Sequence, residues 1–153
     1  MADDGYEMVI ERGKVREFAG SVKSMNPAYL DDPEPVIPPT FLRAAAFWAP
    51  RRAPRPRPEG AQAGGPPRGG GGGSGLGLHA GQEYVFYGPP PRAGTKLRIT
   101  SRQEDQYTKE GRRGGTLTFT VTVQEYRDEE GNLVAIGRNT GVRTSRAANT
   151  GAG

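Results

Sequence analysis

The chain has 153 residues, including 24 glycines and 14 prolines but no cysteine, and its formal net charge is +4. The length suits one domain, and the lack of cysteine excludes disulfide frameworks, thiolate metal sites and cysteine nucleophiles. No apolar run approaches the roughly 20 residues of a membrane span, and the acidic N-terminus lacks the hydrophobic stretch of a signal peptide. We therefore expect a cytoplasmic protein without a membrane partner.

The first 30 residues predict a short strand followed by a helix. Residues 6–10 have the character of a strand, and after Glu11 the apolar side chains recur at spacings of three and four, which is the period of one helix face. Pro27 cannot continue a helix, and Asn26-Pro27 reads as a turn. The apolar positions of the predicted helix are Val15, Phe18, Ala19 and Val22.

A second helix is predicted beyond a segment that cannot be regular. Residues 31–39 contain four prolines. Thr40 suits a helix N-cap, and residues 41–48 are apolar around most of the helix circumference, which is typical of a buried helix. We expect a short central helix that ends at Pro50.

The middle of the chain is dominated by proline, arginine and glycine. Residues 49–76 are predicted to be a disordered insertion in a single domain, 1–153, because such a composition buries little apolar surface. Arg51, Arg52, Arg55, Arg57 and Arg68 all lie in it, so the net charge does not predict a nucleic-acid-binding surface. An acidic carrier protein or coenzyme A phosphates could dock on these arginines, but a solvated loop is the simpler interpretation.

The second half of the chain predicts strands joined by short turns. Their side chains alternate between apolar and polar, and short turns favour an antiparallel meander. The tail, 144–153, is predicted to be flexible. A curling antiparallel sheet around one apolar helix gives an α+β, hotdog fold. The predicted strands are Glu83–Tyr87, Thr95–Tyr107, Thr116–Arg127 and Leu133–Arg143.

Six segments together resemble one known family in their order and spacing. They are similar to the N-terminal, FAS1-like dehydratase domain of the MaoC-like dehydratases. The resemblance implies a hotdog fold, association as a pair of hotdogs, and reversible hydration of a trans-2-enoyl thioester to a (3R)-hydroxyacyl thioester on coenzyme A or acyl carrier protein, without a cofactor. The segments are residues 11–19, 26–29, 38–42, 78–84, 94–97 and 125–128.

The residues that carry proton transfer in catalytic relatives are replaced here. Those relatives have the pattern Gly-Asp-x-Asn-Pro-x-His, whereas residues 23–29 read KSMNPAY. Ser24 takes the Asp position and Tyr29 the His position. Near neutral pH neither a serine hydroxyl nor a phenol is an effective base, and each lost proton-transfer group typically costs about 10²–10⁴-fold in rate. We therefore expect the chain to keep the Asn26-Pro27 part of the pattern but to be inactive by itself. No catalytic residue is assigned in this chain.

The candidates for substrate binding are Asn26, Pro27, Thr40, Phe41, Phe47, Trp48 and His79. The resemblance implies backbone oxyanion donors at the N-terminus of the central helix, for which the N–H groups of Thr40 and Phe41 are candidates, although a capped buried helix is the simpler interpretation. His79, the only histidine, reads as a substrate contact or a hydrogen-bonded structural residue rather than a base. With one histidine and no carboxylate cluster, no metal site is expected. Aromatic residues that either line an acyl tunnel or fill the core are Phe41, Phe47, Trp48, Phe86 and Tyr87.

The function favoured by these features is a non-catalytic, substrate-holding subunit of an (R)-specific enoyl-thioester hydratase or 3-hydroxyacyl-thioester dehydratase. Its partner would be a second hotdog chain with the Asp/His pair. A homodimer that binds acyl thioesters without turnover is an alternative. A thioesterase is disfavoured because residues 40–48 contain no acid. The Arg-, Ala- and Gly-rich composition is typical of a GC-rich bacterial genome. Acyl chain length, carrier and pathway, fatty-acid metabolism among them, stay open.

Overall fold

A computed structural model describes residues 5–50, 77–111 and 115–144, so most of the predicted insertion and almost all of the predicted flexible tail lie outside the described residues. The elements follow the predicted order, with one strand, helices and then four strands. They are β1 (Tyr6–Val9), α1 (Arg12–Ser21), α2 (Pro27–Leu30), the 3-10 helix η1 (Phe41–Phe47), β2 (Gly77–Phe86), β3 (Lys96–Glu110), β4 (Thr116–Arg127) and β5 (Leu133–Thr144).

The five strands form one antiparallel sheet in the order β1-β3-β4-β5-β2. The neighbouring positions of β3, β4 and β5 agree with the predicted meander, but β2, its predicted first strand, lies beside β5 and not beside β3. β1 pairs with the start of β3, with Tyr6 opposite Ile99 and Val9 opposite Lys96. The sheet therefore ends in β1 on one side and in β2 on the other, and β2 begins at Gly77, earlier than the predicted strand.

Residue contacts divide the chain into two units. Of the described residues, the first comprises 5–50, 82–102 and 123–138, and the second comprises 77–81, 103–111, 115–122 and 139–144. In the second unit Tyr107 stacks on Phe119 with 5.0 Å between ring centroids. The hydrophobic core belongs to the first unit and is formed by Met8, Ile10, Val15, Ile37, Phe41, Leu42, Ala45, Leu97, Ile99, Tyr126 and Ala135.

The central helix is shorter and more one-sided than the sequence predicted. It is a 3-10 helix that ends at Phe47, before Pro50. With three residues per turn, Leu42, Ala45 and Trp48 align on one face, which packs on the core, whereas Phe47 is 88% exposed. The prediction of a helix buried nearly all round was therefore wrong, because it assumed the α-helical period.

Helix α1 matches its prediction at all but the last apolar position. Val15 and Ala19 are buried, and Phe18 packs edge-on against Phe41 with ring centroids 5.5 Å apart. Val22 is 54% exposed, contrary to its predicted place on the buried face. The reason is that α1 ends at Ser21, so Val22 lies beyond its last turn as the C-cap.

The end of α1 is set by a backbone motif and not by Pro27. Lys23 has a left-handed backbone, with φ of 57°. Its N–H donates to the Gly20 carbonyl at 3.0 Å, and the N–H of Ser24 donates to the Ala19 carbonyl at 2.9 Å. These two bonds define a Schellman motif, in which the left-handed position usually holds glycine. The glycine of the pattern in catalytic relatives corresponds to Lys23, so the structure explains why a glycine suits that position.

The proline-rich segment before η1 is irregular, as predicted, but it is held firmly by its contacts. Arg92 bonds the Asp32 carboxylate at 3.1 Å and the Glu34 carbonyl at 2.9 Å through the same nitrogen. The Ile37 N–H donates to the Pro91 carbonyl at 3.1 Å. These bonds fix the approach of the chain to Thr40 and the start of η1.

The substitution Lys23→Gly is expected to stabilise the protein. A left-handed backbone costs a non-glycine residue about 1–2 kcal/mol, and part of that gain is offset by the larger chain entropy of an unfolded glycine. We expect a net gain of about 0.5–1 kcal/mol in the free energy of unfolding, measured by urea denaturation. Lys23→Ala is the control and should give no gain of this kind. Equal gains from both variants would contradict the role of the left-handed backbone.

Candidate functional site

The segment Ser24–Tyr29 is built around Asn26, which caps a helix. The Asn26 side-chain oxygen accepts from the Ala28 N–H at 3.0 Å, and its backbone carbonyl accepts from the Tyr29 N–H at 3.0 Å. Pro27 occupies the first turn of α2, where its missing N–H costs nothing. The predicted turn at Asn26-Pro27 is thus the start of a short helix, and the pair has a structural task that is independent of any substrate.

Ser24 and Tyr29, the positions that the resemblance assigns to the acid–base pair, lie at the two ends of this segment. Ser24 follows the Schellman motif, and its hydroxyl accepts from the Asn26 N–H at a long 3.4 Å. Tyr29 lies in α2, and both side chains are half-buried. The backbone between them is therefore held by hydrogen bonds of its own, and the two side chains offer an aliphatic hydroxyl and a phenol.

One of the two candidate oxyanion donors already donates a hydrogen bond within the chain. The N–H of Phe41 donates to the Pro38 carbonyl at 3.0 Å, so it is not free to bind a substrate oxygen. The exposed Thr40 has no backbone partner for its N–H within the described residues, and its hydroxyl makes no capping bond to η1. Thr40 remains the available donor of the pair.

The aromatic candidates separate into core and surface. Phe41 is fully buried, and Trp48 and Phe86 are half-buried against the core. Phe47 and Tyr87 are 88% and 56% exposed. Burial thus assigns Phe41 mainly to the core and leaves Phe47 on the surface of the first unit.

His79 is an exposed residue of β2. Its side chain makes no hydrogen bond to any residue within the ranges that the structure describes, which does not support the interpretation as a hydrogen-bonded structural residue. It belongs to the second unit, whereas the Ser24–Tyr29 segment belongs to the first.

A polar cluster of tyrosines inside the first unit was missed by the sequence reasoning. Tyr126 is fully buried, and its hydroxyl lies 3.3 Å from the Leu42 carbonyl and 3.2 Å from the Gln124 side-chain oxygen. Tyr84 meets it edge-on with 6.5 Å between ring centroids. Tyr126 lies in residues 125–128, which carried part of the family resemblance.

Burial raises the pKa of all three tyrosines of this cluster. The effect is largest for Tyr126, where desolvation combines with the neighbouring phenols of Tyr84 and Tyr6. For Tyr6 and Tyr84 desolvation is again the main cause, and the positive charge of Arg43 lowers the pKa of each of the three phenols in opposition to it. The phenols therefore stay protonated near neutral pH and act there as hydrogen-bond donors.

Metal-ligand clusters and membrane-spanning helices are both absent from the described ranges. The described ranges contain no group of three or more His, Cys, Asp or Glu side chains able to hold a metal ion. Within the same ranges, no helix combines the length and the apolar character that a membrane crossing requires.

Comparison with protein families identifies the chain as a member of the FAS1-like dehydratase domain region, which matches residues 2–136. The chain thus belongs to this family, as the resemblance implied. A comparison with curated protein sequences gave no match.

Solved structures share the fold at low sequence identity, and they confirm the α+β hotdog fold. The HadBC (3R-hydroxyacyl-ACP dehydratase) complex from Mycobacterium tuberculosis is 18% identical, with a TM-score of 0.62 over 90% of this chain and 93% of that chain. The ChsH1-ChsH2 complex from the same organism is 12% identical, with a TM-score of 0.63 over 95% and 85%. The (R)-hydratase from A. caviae is 14% identical, with a TM-score of 0.54 over 90% of each chain.

The raised pKa values predict loss of stability in alkali. A phenol whose pKa is higher in the folded than in the unfolded protein stabilises the fold fully below the unfolded value of about 10. That contribution is lost as the pH rises from there through the folded value. We expect the melting temperature to fall above about pH 10 and to fall less steeply for Tyr126→Phe. Tyr107→Phe, which removes a partly exposed phenol, is the control, and a slope unchanged in Tyr126→Phe would refute the assignment.

Proposed function

We propose that the chain is the non-catalytic, substrate-holding subunit of an (R)-specific enoyl-thioester hydratase or 3-hydroxyacyl-thioester dehydratase. The observation that carries the proposal is the segment Ser24–Tyr29. Its backbone is held by the Schellman motif and the Asn26 cap, yet Ser24 and Tyr29 stand where catalytic relatives have Asp and His. A segment that keeps its hydrogen-bonded backbone but lacks the Asp and His side chains suits a subunit whose partner supplies the acid and the base.

Hydration of an enoyl thioester needs a base that activates water and an acid that protonates the α-carbon. The hydroxyls of Ser24 and Tyr29 supply neither group at neutral pH. The partner would therefore be a second hotdog chain with the full Asp/His pattern. The ligand would be an acyl-coenzyme A or an acyl carrier protein, and the acyl group would be held partly by this chain.

Exposed apolar side chains next to Ser24 favour the interpretation that this surface binds a partner protein. Val22 and Met25 lie on either side of Ser24 and are 54% and 84% exposed. Solvation of such side chains is unfavourable, and a partner that covers them recovers free energy of about 25 cal/mol per Å² buried. Such a surface would place the partner's acid–base pair beside the preserved frame.

The edge of the sheet supports the same conclusion. β2 is an edge strand of ten residues in the five-stranded sheet, and a long edge strand presents unpaired backbone groups that another strand can satisfy. Leu78 and Val85 on this strand are 57% and 37% exposed. The HadBC and ChsH1-ChsH2 structures, which share this fold, are each structures of a complex, which is compatible with a heterodimer here.

The proposal predicts that the purified chain alone does not hydrate crotonyl-coenzyme A. Loss of the enoyl-thioester absorbance, followed from acidic to alkaline pH, should proceed no faster than in buffer. The matched variant is Ser24→Ala combined with Tyr29→Phe, which should behave as the natural chain does. Hydration by the chain alone at an ordinary enzymatic rate of about 1 s⁻¹ or more would contradict the proposal, and its loss in the double variant would assign the chemistry to Ser24 and Tyr29.

A further inference from the structure

Helix α1 and its C-terminal motif carry three cations without an ionic partner. Arg12 and Arg16 lie four residues apart, so they are neighbours on one helix face with about 5–6 Å between their Cβ atoms. Lys23 follows the C-cap directly. Arg12 and Lys23 are exposed and Arg16 is half-buried. Within the described residues none of the three side chains forms an ion pair. We call these three residues the α1 cation row.

The other charges of α1 lie elsewhere. Lys14 is two residues from Arg16, so the two side chains do not share a helix face. Its ammonium group forms an ion pair with Glu17 at 2.8 Å. The second acid, Glu11, precedes the helix as its N-cap residue and makes no capping bond. With four cations and two acids, residues 11–25 carry a formal charge of +2, and the excess lies in the cation row.

The cation row does not stabilise the helix that carries it. Like charges four residues apart repel each other, and a cation in the first turn is opposed by the positive end of the helix dipole. Arg12 is the first residue of α1, and the first turn contains no acidic residue. Electrostatics within the helix therefore does not account for the row, whereas an acidic partner surface would relieve both repulsions.

The length of the row distinguishes between acidic partners. The 11 steps from Arg12 to Lys23 correspond to about 16 Å along a helix, or about three turns. The phosphates of coenzyme A are grouped at its nucleotide end, so they match Arg12 and Arg16 but leave Lys23 outside. A partner helix with acids on successive turns matches the whole row.

We propose that the α1 cation row is the docking surface for an acidic helix of an acyl carrier protein. The inference rests on the proposed function for the class of partner, and it selects the carrier protein over coenzyme A. The row ends beside Val22 and Met25, which are 54% and 84% exposed. A carrier docked on the row therefore lies next to the surface proposed for the partner subunit, and it delivers its acyl group near the junction of the two subunits.

The test is an NMR titration of the purified chain with an apo-acyl carrier protein, which lacks the acyl-bearing arm and reports on the protein surface alone. We expect saturable shifts of the α1 amides and an affinity that falls as salt screens exposed charges. Arg12→Gln combined with Lys23→Gln should weaken binding roughly threefold to tenfold. The matched control, Lys14→Gln with Lys96→Gln, removes two positive charges outside the row and should change binding less than about twofold.

A second pair of variants separates charge from folding. Gly20 is exposed four residues after Arg16, and a Cβ added there meets open space. In Gly20→Glu the new carboxylate is placed to pair with Arg16, so carrier binding should weaken. Gly20→Gln, of the same size but neutral, should bind as the natural chain does. Both variants should melt no lower than the natural chain, because glycine is a poor helix former.

Four outcomes would overturn the inference. They are no saturable binding of the apo-carrier at low salt, equal effects of the row variant and its matched control, equal binding by Gly20→Glu and Gly20→Gln, and tighter binding of coenzyme A than of the carrier at the same amides. Docking is measured on the chain alone and without turnover. Its failure is therefore distinguishable from failure of the proposed function, which the hydration assay tests.

Discussion

The packing of one face of η1 on the sheet is the contact on which the rest of the first unit depends. Phe41, Leu42 and Ala45 share the core with side chains of the strands, Leu97 and Ile99 among them. A 3-10 helix of seven residues has little stability of its own because its hydrogen bonds are poorly aligned. The apolar contact therefore holds the helix in place, and the Tyr126 hydroxyl adds a hydrogen bond to the Leu42 carbonyl.

This arrangement positions the candidate site from two directions. Phe18 of α1 packs on Phe41, so the core also fixes the helix whose C-terminal motif leads into Ser24. On the other side, the bonds of Arg92 and Pro91 hold the segment that leads into Thr40. The segment Ser24–Tyr29 is thus supported by the core through contacts that do not involve the side chains of Ser24 and Tyr29.

Much of the fold could be predicted from the sequence because the spacing of apolar residues within a strand or helix depends only on that element. The alternation of Leu97 and Ile99 with Lys96 and Arg98 identified a half-buried strand, and the spacing of Val15 and Ala19 identified α1. The errors arose where tertiary contacts decide the outcome. A glycine-free Schellman motif at Lys23 and the 3-10 geometry that exposes Phe47 leave no clear local signal.

The candidate site was predictable to a lesser degree. Substitution of the acid–base pair was visible at Ser24 and Tyr29 only because the surrounding Asn26-Pro27 pattern resembled a family. The hydrogen bond that occupies the Phe41 N–H requires the fold of the preceding prolines. The tyrosine cluster brings together β1, β2 and β4, and no sequence period connects Tyr6, Tyr84 and Tyr126.

The central claim is that this chain helps to hold the substrate, while a partner chain supplies the Asp/His acid–base pair. The most direct measurement is hydration of crotonyl-coenzyme A by mixtures of the chain with a hotdog chain that carries the Gly-Asp-x-Asn-Pro-x-His pattern. The account predicts that activity peaks at an equimolar ratio and is retained when Ser24→Ala and Tyr29→Phe are combined in this chain. Activity that needs no second chain, or that is lost in that double variant, would contradict it.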